Sequence, residues 1–145
     1  MGCLATFASS PQVPLLVPMH HKSMPKRPAL IVAEPEPSEA LSVRKLVLET
    51  AKFNVLTAHS TREAIDIFQS FPNASTIIAV EGKDIDCEVI TETVKDTIPT
   101  IPVIVLSGRA GFRVAQADYH ISSHEPEELL RVVRELLGDP RMMPV

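Results

Sequence analysis

The stretch TIIAV, residues 76–80, decides the fold class. It is an almost uninterrupted apolar run rich in β-branched residues, and it is short. This combination predicts a strand buried on both faces. Comparable runs occur along the chain, at ALIVA (29–33), FNVLTA (53–58) and PVIVLS (102–107), with a weaker one at YHISS (119–123). Strands buried on both faces are typical of parallel sheets that are covered by helices on both sides.

Amphipathic helical patterns separate these runs. They predict helices over about 39–52, 61–69, 87–96 and 126–137. Ser38 is the expected N-cap of the first helix, and Ser60 with Glu63 forms a capping box for the second. Pro126 opens the last helix and Gly138 stops it. The alternation predicts an α/β domain over residues 28–138, with a doubly wound, five-stranded parallel sheet and helices on both faces.

Composition narrows the functional classes. Residues 1–27 are rich in proline, hold three basic residues and no acid, and are predicted to form a disordered leader. The rest of the chain therefore carries a net charge that is more negative than the overall −4. An acidic body of this kind argues against a nucleic-acid binder. Residues 139–145 are predicted to form a short tail. No apolar run reaches the roughly 20 residues of a membrane span, so no membrane association is expected. Two distant cysteines, Cys3 and Cys87, predict no disulfide framework and favour the cytoplasm.

Several phrases in this order of elements resemble the receiver domain of two-component response regulators. They are ALIVAEPEPS, NVLTAHSTREAIDIF, IPVIVLSG and ADYHISSHEPEELLRVVRELL. The resemblance covers residues 28–138 and implies the receiver, or flavodoxin-like, sheet order. It also implies a shortened fourth helix, because only 11 residues separate Ser107 from Tyr119.

The resemblance implies a phosphorylation pocket at the strand ends. Receivers accept a phosphoryl group on an Asp that ends the third strand, and paired acids after the first strand help to hold Mg²⁺. A Thr or Ser ending the fourth strand binds the phosphoryl oxygens, and a Lys ending the fifth supplies a cation. The corresponding positions here are Val80 for the acceptor, Glu34 and Pro35 for the acids, Ser107 for the hydroxyl and Ser122 for the lysine. The pocket is therefore expected to be degenerate.

Glu81 leaves an alternative open. Strand alternation predicts that its side chain lies on the face opposite to the pocket. If the strand ended before Glu81, its side chain could turn back toward the pocket. The chain would then be an atypical phosphoacceptor that uses Glu81 with Ser107. A small-molecule binder built on the same fold is a further alternative. Asp84 and Asp86 are expected to cap the next helix, and Cys87 is expected to be packed.

The expected function is that of a receiver-like signalling and interaction domain of a two-component, phosphorelay-type system. It is expected to be independent of phosphorylation and not to be an enzyme. Arg109, Phe112, Arg113 and Tyr119 form a candidate partner surface, because arginine and aromatic residues are enriched at interface anchors. The alternative is a half-buried Phe112 between solvated arginines. The expected partner is a protein, either a histidine kinase or another signalling protein, and a homodimer stays open. No cofactor is expected, and Mg²⁺ binding is not expected to persist.

Overall fold

A computed structural model of the chain describes residues 28–36 and 42–142. The predicted leader over 1–27, the predicted helix cap at Ser38 and the last three residues of the predicted tail lie outside the described residues. The first part of that tail is described, and Pro140–Met142 form a turn of 3₁₀ helix in which Pro140 is buried.

The described residues contain one parallel sheet. Its strands are β1 (Ala29–Ala33), β2 (Asn54–Ala58), β3 (Thr76–Val80), β4 (Val103–Ser107) and β5 (Tyr119–Ser122). They lie in the order β2-β1-β3-β4-β5, with every neighbouring pair parallel. The predicted doubly wound sheet is confirmed. The order reverses between β1 and β3, and the carboxyl ends at such a reversal are where open α/β sheets usually bind ligands.

Four helices within the described residues cover the two faces of the sheet. They are α1 (Val43–Thr50), α2 (Thr61–Ser70), α3 (Cys87–Thr97) and α4 (Pro126–Leu137). One core cluster joins the sheet to α2 and α3 through residues such as Phe68 and Ile90. The other joins it to α1 and α4 through Leu48 and Leu129. The described part of the chain has no helix long and apolar enough to cross a membrane.

The helix ends follow the predicted caps where the structure describes them. Ser60 Oγ accepts a hydrogen bond from the Glu63 amide at 3.0 Å, as the capping box predicts. Gly138 ends α4 with a φ of 84°, a left-handed conformation that favours glycine. Helix α1 begins at Val43, later than predicted, and its N-cap is Ser42.

A loop over residues 108–118 takes the place of the shortened fourth helix, and none of these residues is helical. The loop is anchored on the α2 and α3 side of the sheet, where Val114 is buried and Phe112 is half-buried. The Val114 amide donates a hydrogen bond to His120 Nε2 at 3.0 Å. Gly111 has a φ of 80°, which lets the loop turn at little steric cost.

Lys95 fixes the far end of the loop. Its ammonium group donates to Asp118 Oδ2 at 2.7 Å and to the Ile101 carbonyl at 2.8 Å. Asp118 Oδ2 also accepts from the Val103 amide at 2.8 Å. The amino ends of β4 and β5 are thereby held in register by contacts with the end of α3.

The ends of β1 and β3 approach each other through Pro35 and Gly82. A Cβ atom added to Gly82 would lie 2.4 Å from Pro35 Cγ, which is far closer than van der Waals contact. Glycine at position 82 therefore lets the proline ring sit between the two strand ends.

We expect the Gly82→Ala variant to lose about 1–3 kcal/mol of unfolding free energy, because the added methyl group overpacks against the proline ring. The loss should shrink in a Pro35→Ala background, since the clashing Cγ is then gone. Urea denaturation of the four combinations measures the coupling between the two sites. Lys83→Ala is the control at an exposed neighbour. An equal cost of Gly82→Ala in both backgrounds would contradict the steric explanation.

Candidate functional site

Glu81 is the residue around which the carboxyl edge of the sheet is organised. It follows β3 directly, and its amide continues the ladder by donating to the Leu106 carbonyl at 2.8 Å. Its side chain is 24% exposed. Carboxylate Oε1 accepts a hydrogen bond from Ser107 Oγ at 2.7 Å, and Oε2 lies 2.7 Å from Arg109 Nη2. Both oxygens are therefore occupied by partners within the chain.

Strand alternation explains why Glu81, rather than Val80, meets Ser107. Val80 is 3% exposed and packs in the cluster beneath α1 and α4. Ile77 and Ala79 face the other cluster, and Glu81 continues that side beyond the strand. The structure thus does not bring Val80 to the pocket. The expectation that the Glu81 side chain lies away from Ser107 was wrong.

Ser107 and Arg109 complete what we call the Glu81 clamp (Glu81, Ser107 and Arg109). Ser107 Oγ donates to the carboxylate and accepts from the Arg109 amide at 2.9 Å. The Arg109 guanidinium lies 4.9 Å from the centre of the Phe112 ring, in cation–π geometry. The clamp therefore ties the end of β3 to the end of β4 and to the start of the loop.

The clamp favours the charged form of Glu81. The hydrogen bond from Ser107, followed by that from Arg109, lowers the pKa of Glu81 from its ordinary value. The carboxylate therefore stays ionised at neutral pH, and a carboxylate with a lowered pKa is also a weaker nucleophile.

Glu34 is engaged in a second ion pair. Its side chain is 1% exposed, and Oε1 accepts from Arg44 Nε at 2.9 Å. Arg44 also reaches the Ser123 carbonyl with Nη1 at 3.3 Å. Among the described residues, Glu34 Oε2 has no hydrogen-bond partner. Arg44 was not among the predicted site residues, so its link between β1 and the β5–α4 turn was missed.

The residues present do not fit the Mg²⁺ that the receiver resemblance implies. Mg²⁺ requires near-octahedral oxygen ligands. Pro35 offers no side-chain oxygen, and the carboxylates of Glu34 and Glu81 are each paired with an arginine. Within residues 28–36 and 42–142, no cluster of three His, Cys, Asp or Glu side chains is suited to hold a metal ion.

The remaining predicted site residues divide between the two sides of β5. Ser122 pairs in register with Ser107, and its hydroxyl accepts from the His124 amide at 3.2 Å. Tyr119 packs with the cluster under α1 and α4, whereas Phe112 packs against the opposite cluster. The structure therefore groups Arg109, Phe112 and Arg113 in one loop and leaves Tyr119 on the other face.

Cys87 opens α3 behind the clamp, and Asp86 caps that helix through the amides of Glu88 and Val89. The thiol is buried, with the residue 2% exposed. Burial, together with the charges of Glu81 and Asp86, raises the pKa of the Cys87 thiol to about 12. Cys87 is therefore a packed thiol of low reactivity.

Solved structures of receiver domains share this fold. A CheY-like receiver domain protein from Methanospirillum hungatei is 18% identical and has a TM-score of 0.67, over 80% of this chain and 98% of that one. The response regulator TrrA from Thermotoga maritima, solved with Mg²⁺ and BeF, is 23% identical with a TM-score of 0.63, over 76% and 99%. The receiver domain of a sensor histidine kinase from Pseudomonas aeruginosa, with Mg²⁺ in its active-site cleft, is 15% identical with a TM-score of 0.67, over 78% and 99%.

No protein-family model and no curated protein matches the sequence. The similarity to the solved structures establishes that this chain has the receiver fold.

The Glu81 clamp predicts a pH dependence of stability. Because the pKa of Glu81 is lowered on folding, its stabilising contribution is present above the ordinary glutamate pKa of about 4.3 and is lost as the pH falls through the lower, folded value. We expect Glu81→Gln to remove this part of the acid dependence, and Ser107→Ala to reduce it. Urea denaturation between neutral and strongly acidic pH measures it. Parallel stability curves for wild type and Glu81→Gln would contradict the clamp.

The burial of Cys87 predicts slow thiol chemistry. In a Cys3→Ser background, which leaves Cys87 as the single cysteine, we expect the native protein to react with a disulfide reagent far more slowly than the protein unfolded in urea. The rate at mildly alkaline pH, followed by absorbance, checks this. Equal rates in the native and unfolded states would show that the thiol is accessible.

Proposed function

We propose that this chain is a phosphorylation-independent, receiver-like signalling domain, which acts by binding a protein partner rather than by catalysis. The observation that carries the proposal is the Glu81 clamp. At the strand edge, a carboxylate of the chain itself makes the two contacts that the receiver resemblance implies for a phosphoryl group, a serine hydroxyl and a cation.

The cation comes from an unexpected place. The position implied for the lysine on β5 is Ser122, which has no charge, and the positive charge instead comes from Arg109 in the loop after β4. A guanidinium group is always charged and presents several donors in a fixed plane, so it matches a carboxylate well. The resulting ion pair needs no phosphodonor to form.

The chemistry of the site also disfavours phosphoryl transfer. Transfer to Glu81 would require the attacking oxygen to give up its partner, either Ser107 at Oε1 or Arg109 at Oε2. A metal that would offset charge on the transferred group would have to displace Arg44 from Glu34 or Arg109 from Glu81. Two solved receiver structures carry Mg²⁺, in one of them in the active-site cleft. We expect no such binding here, because the carboxylates of Glu34 and Glu81 are already paired with arginines.

The partner surface that we propose is the loop patch of Arg109, Phe112 and Arg113. Arg109 is 67% exposed and stacks on Phe112, while the clamp holds the start of the loop in place. An arginine over an aromatic ring, held on a fixed loop, is the kind of anchor that interfaces use. The expected partner is a signalling protein, such as a histidine kinase.

A phosphorylation assay tests the proposal. The full chain is incubated with Mg²⁺ and acetyl phosphate, and separately titrated with Mg²⁺ and beryllofluoride while its amide NMR spectrum is recorded. We expect no gain of a phosphoryl group by mass spectrometry, and no saturable shifts at Glu81, Ser107 or Arg109. The reason is that the clamp already occupies the carboxylate.

A receiver domain that is phosphorylated under the same conditions is the positive control. The Glu81→Gln variant is the matched control within the chain. A phosphoryl group gained by the wild type and not by Glu81→Gln would identify Glu81 as a working acceptor, and the proposal would then be rejected.

A further inference from the structure

The loop over 108–118 leaves a cavity that the sequence did not predict. The cavity has a volume of about 380 Å³ and lies at the carboxyl ends of β4 and β5. Its walls are formed by Val105 and Ser107 on one side, His120 to Ser122 on the other and loop residues 108–113 above. Volumes of this size are typical of sites for small molecules. The opening exists because a loop, rather than a helix, covers this edge of the sheet.

The charge of the cavity is opposite to that of the protein. The chain carries 18 acidic and 14 basic residues, yet the lining of this cavity contains the two cations Arg109 and Arg113 and no acidic residue. Burial, followed by the positive charge of Arg113, lowers the pKa of His120. The charge of Arg113 is therefore close enough to affect the imidazole of His120, which lines the same cavity.

Arg113 is the lining cation without an internal partner. It makes no salt bridge within the described part of the chain, whereas Arg109 is bound to Glu81 through one nitrogen. The apolar part of the lining is supplied by Val105 and Phe112. The cavity thus combines an uncommitted guanidinium group with an apolar wall.

We propose that this cavity binds a small organic anion, one with a carboxylate or phosphate group on an apolar body, with Arg113 as its principal charged contact. Guanidinium groups recognise carboxylate and phosphate oxygens through paired hydrogen bonds, and the apolar wall accommodates the body of the ligand. The site adjoins the Glu81 clamp, because Ser107 and Arg109 line the cavity, but Arg113 takes no part in that clamp. It also shares Phe112 and Arg113 with the proposed partner surface, so a bound anion and a protein partner would compete for this loop.

Benzoate and phenyl phosphate are suitable probes, because each joins one anionic group to one apolar ring. They are titrated into the full chain at constant ionic strength while its amide NMR spectrum is recorded. We expect saturable shifts in residues 108–113 and at Ser122. Tighter binding of one probe identifies the anionic group that the site prefers. Benzyl alcohol, which lacks the charge, and inorganic phosphate, which lacks the ring, should bind more weakly than either probe.

The Arg113→Gln variant should weaken binding about tenfold, the loss implied by removing one charge-assisted hydrogen bond. Arg62→Gln is the matched control, because Arg62 is 89% exposed on α2 and the charge change is the same. Equal affinities of the two variants, equal binding of benzyl alcohol, or the absence of saturable shifts would each overturn the proposal. Binding of acidic peptides without binding of either probe would also overturn it, since the loop patch would then serve only as the proposed protein interface.

Discussion

Burial of the central strands on both faces is the constraint on which the rest of this structure depends. All five residues of β3 are buried, and residues 77–80 alternate between the cluster under α2 and α3 and the cluster under α1 and α4. A polar side chain inside such a strand would lose its hydration without a partner. Polar chemistry is therefore confined to the carboxyl ends of the strands, where Ser107 ends β4 and Glu34 and Glu81 directly follow β1 and β3. The alternation also fixes which of them meet.

The two carboxylates at this edge are held in different ways. Glu34 is almost fully buried, and its pairing with Arg44 connects β1 to the β5–α4 turn. Removing one partner of a buried pair leaves an uncompensated charge, so this pair is primarily architectural. Glu81 is partly exposed, and its two contacts come from residues two positions apart, Ser107 and Arg109. These two contacts fix the position at which the loop over 108–118 begins, and they balance the charge of Arg109.

Much of the fold could be predicted from the sequence, and the site only in part. The strand at 76–80 and the helix at 126–137 were predicted with the bounds that the structure has, because apolar runs and capping residues mark them locally. The assignment of Val80 to the pocket failed because a strand buried on both faces gives no polar alternation to show which side leads to the site. The pairing of Glu34 with Arg44 depends on how α1 is rotated against the sheet, which a hydrophobic pattern defines only coarsely.

The contacts of Lys95 affect which part of this domain can vary during evolution. They fix the amino ends of β4 and β5 through Asp118, the last residue of the loop over 108–118. The register of these strands therefore does not depend on the length of that loop. Because each doubling of a flexible loop costs only about 0.6 kcal/mol in closure entropy, insertions and deletions there are inexpensive. The part of the loop before Asp118 can be lengthened, shortened or exchanged, by evolution or by grafting, while Lys95 and Asp118 keep the register of the two strands.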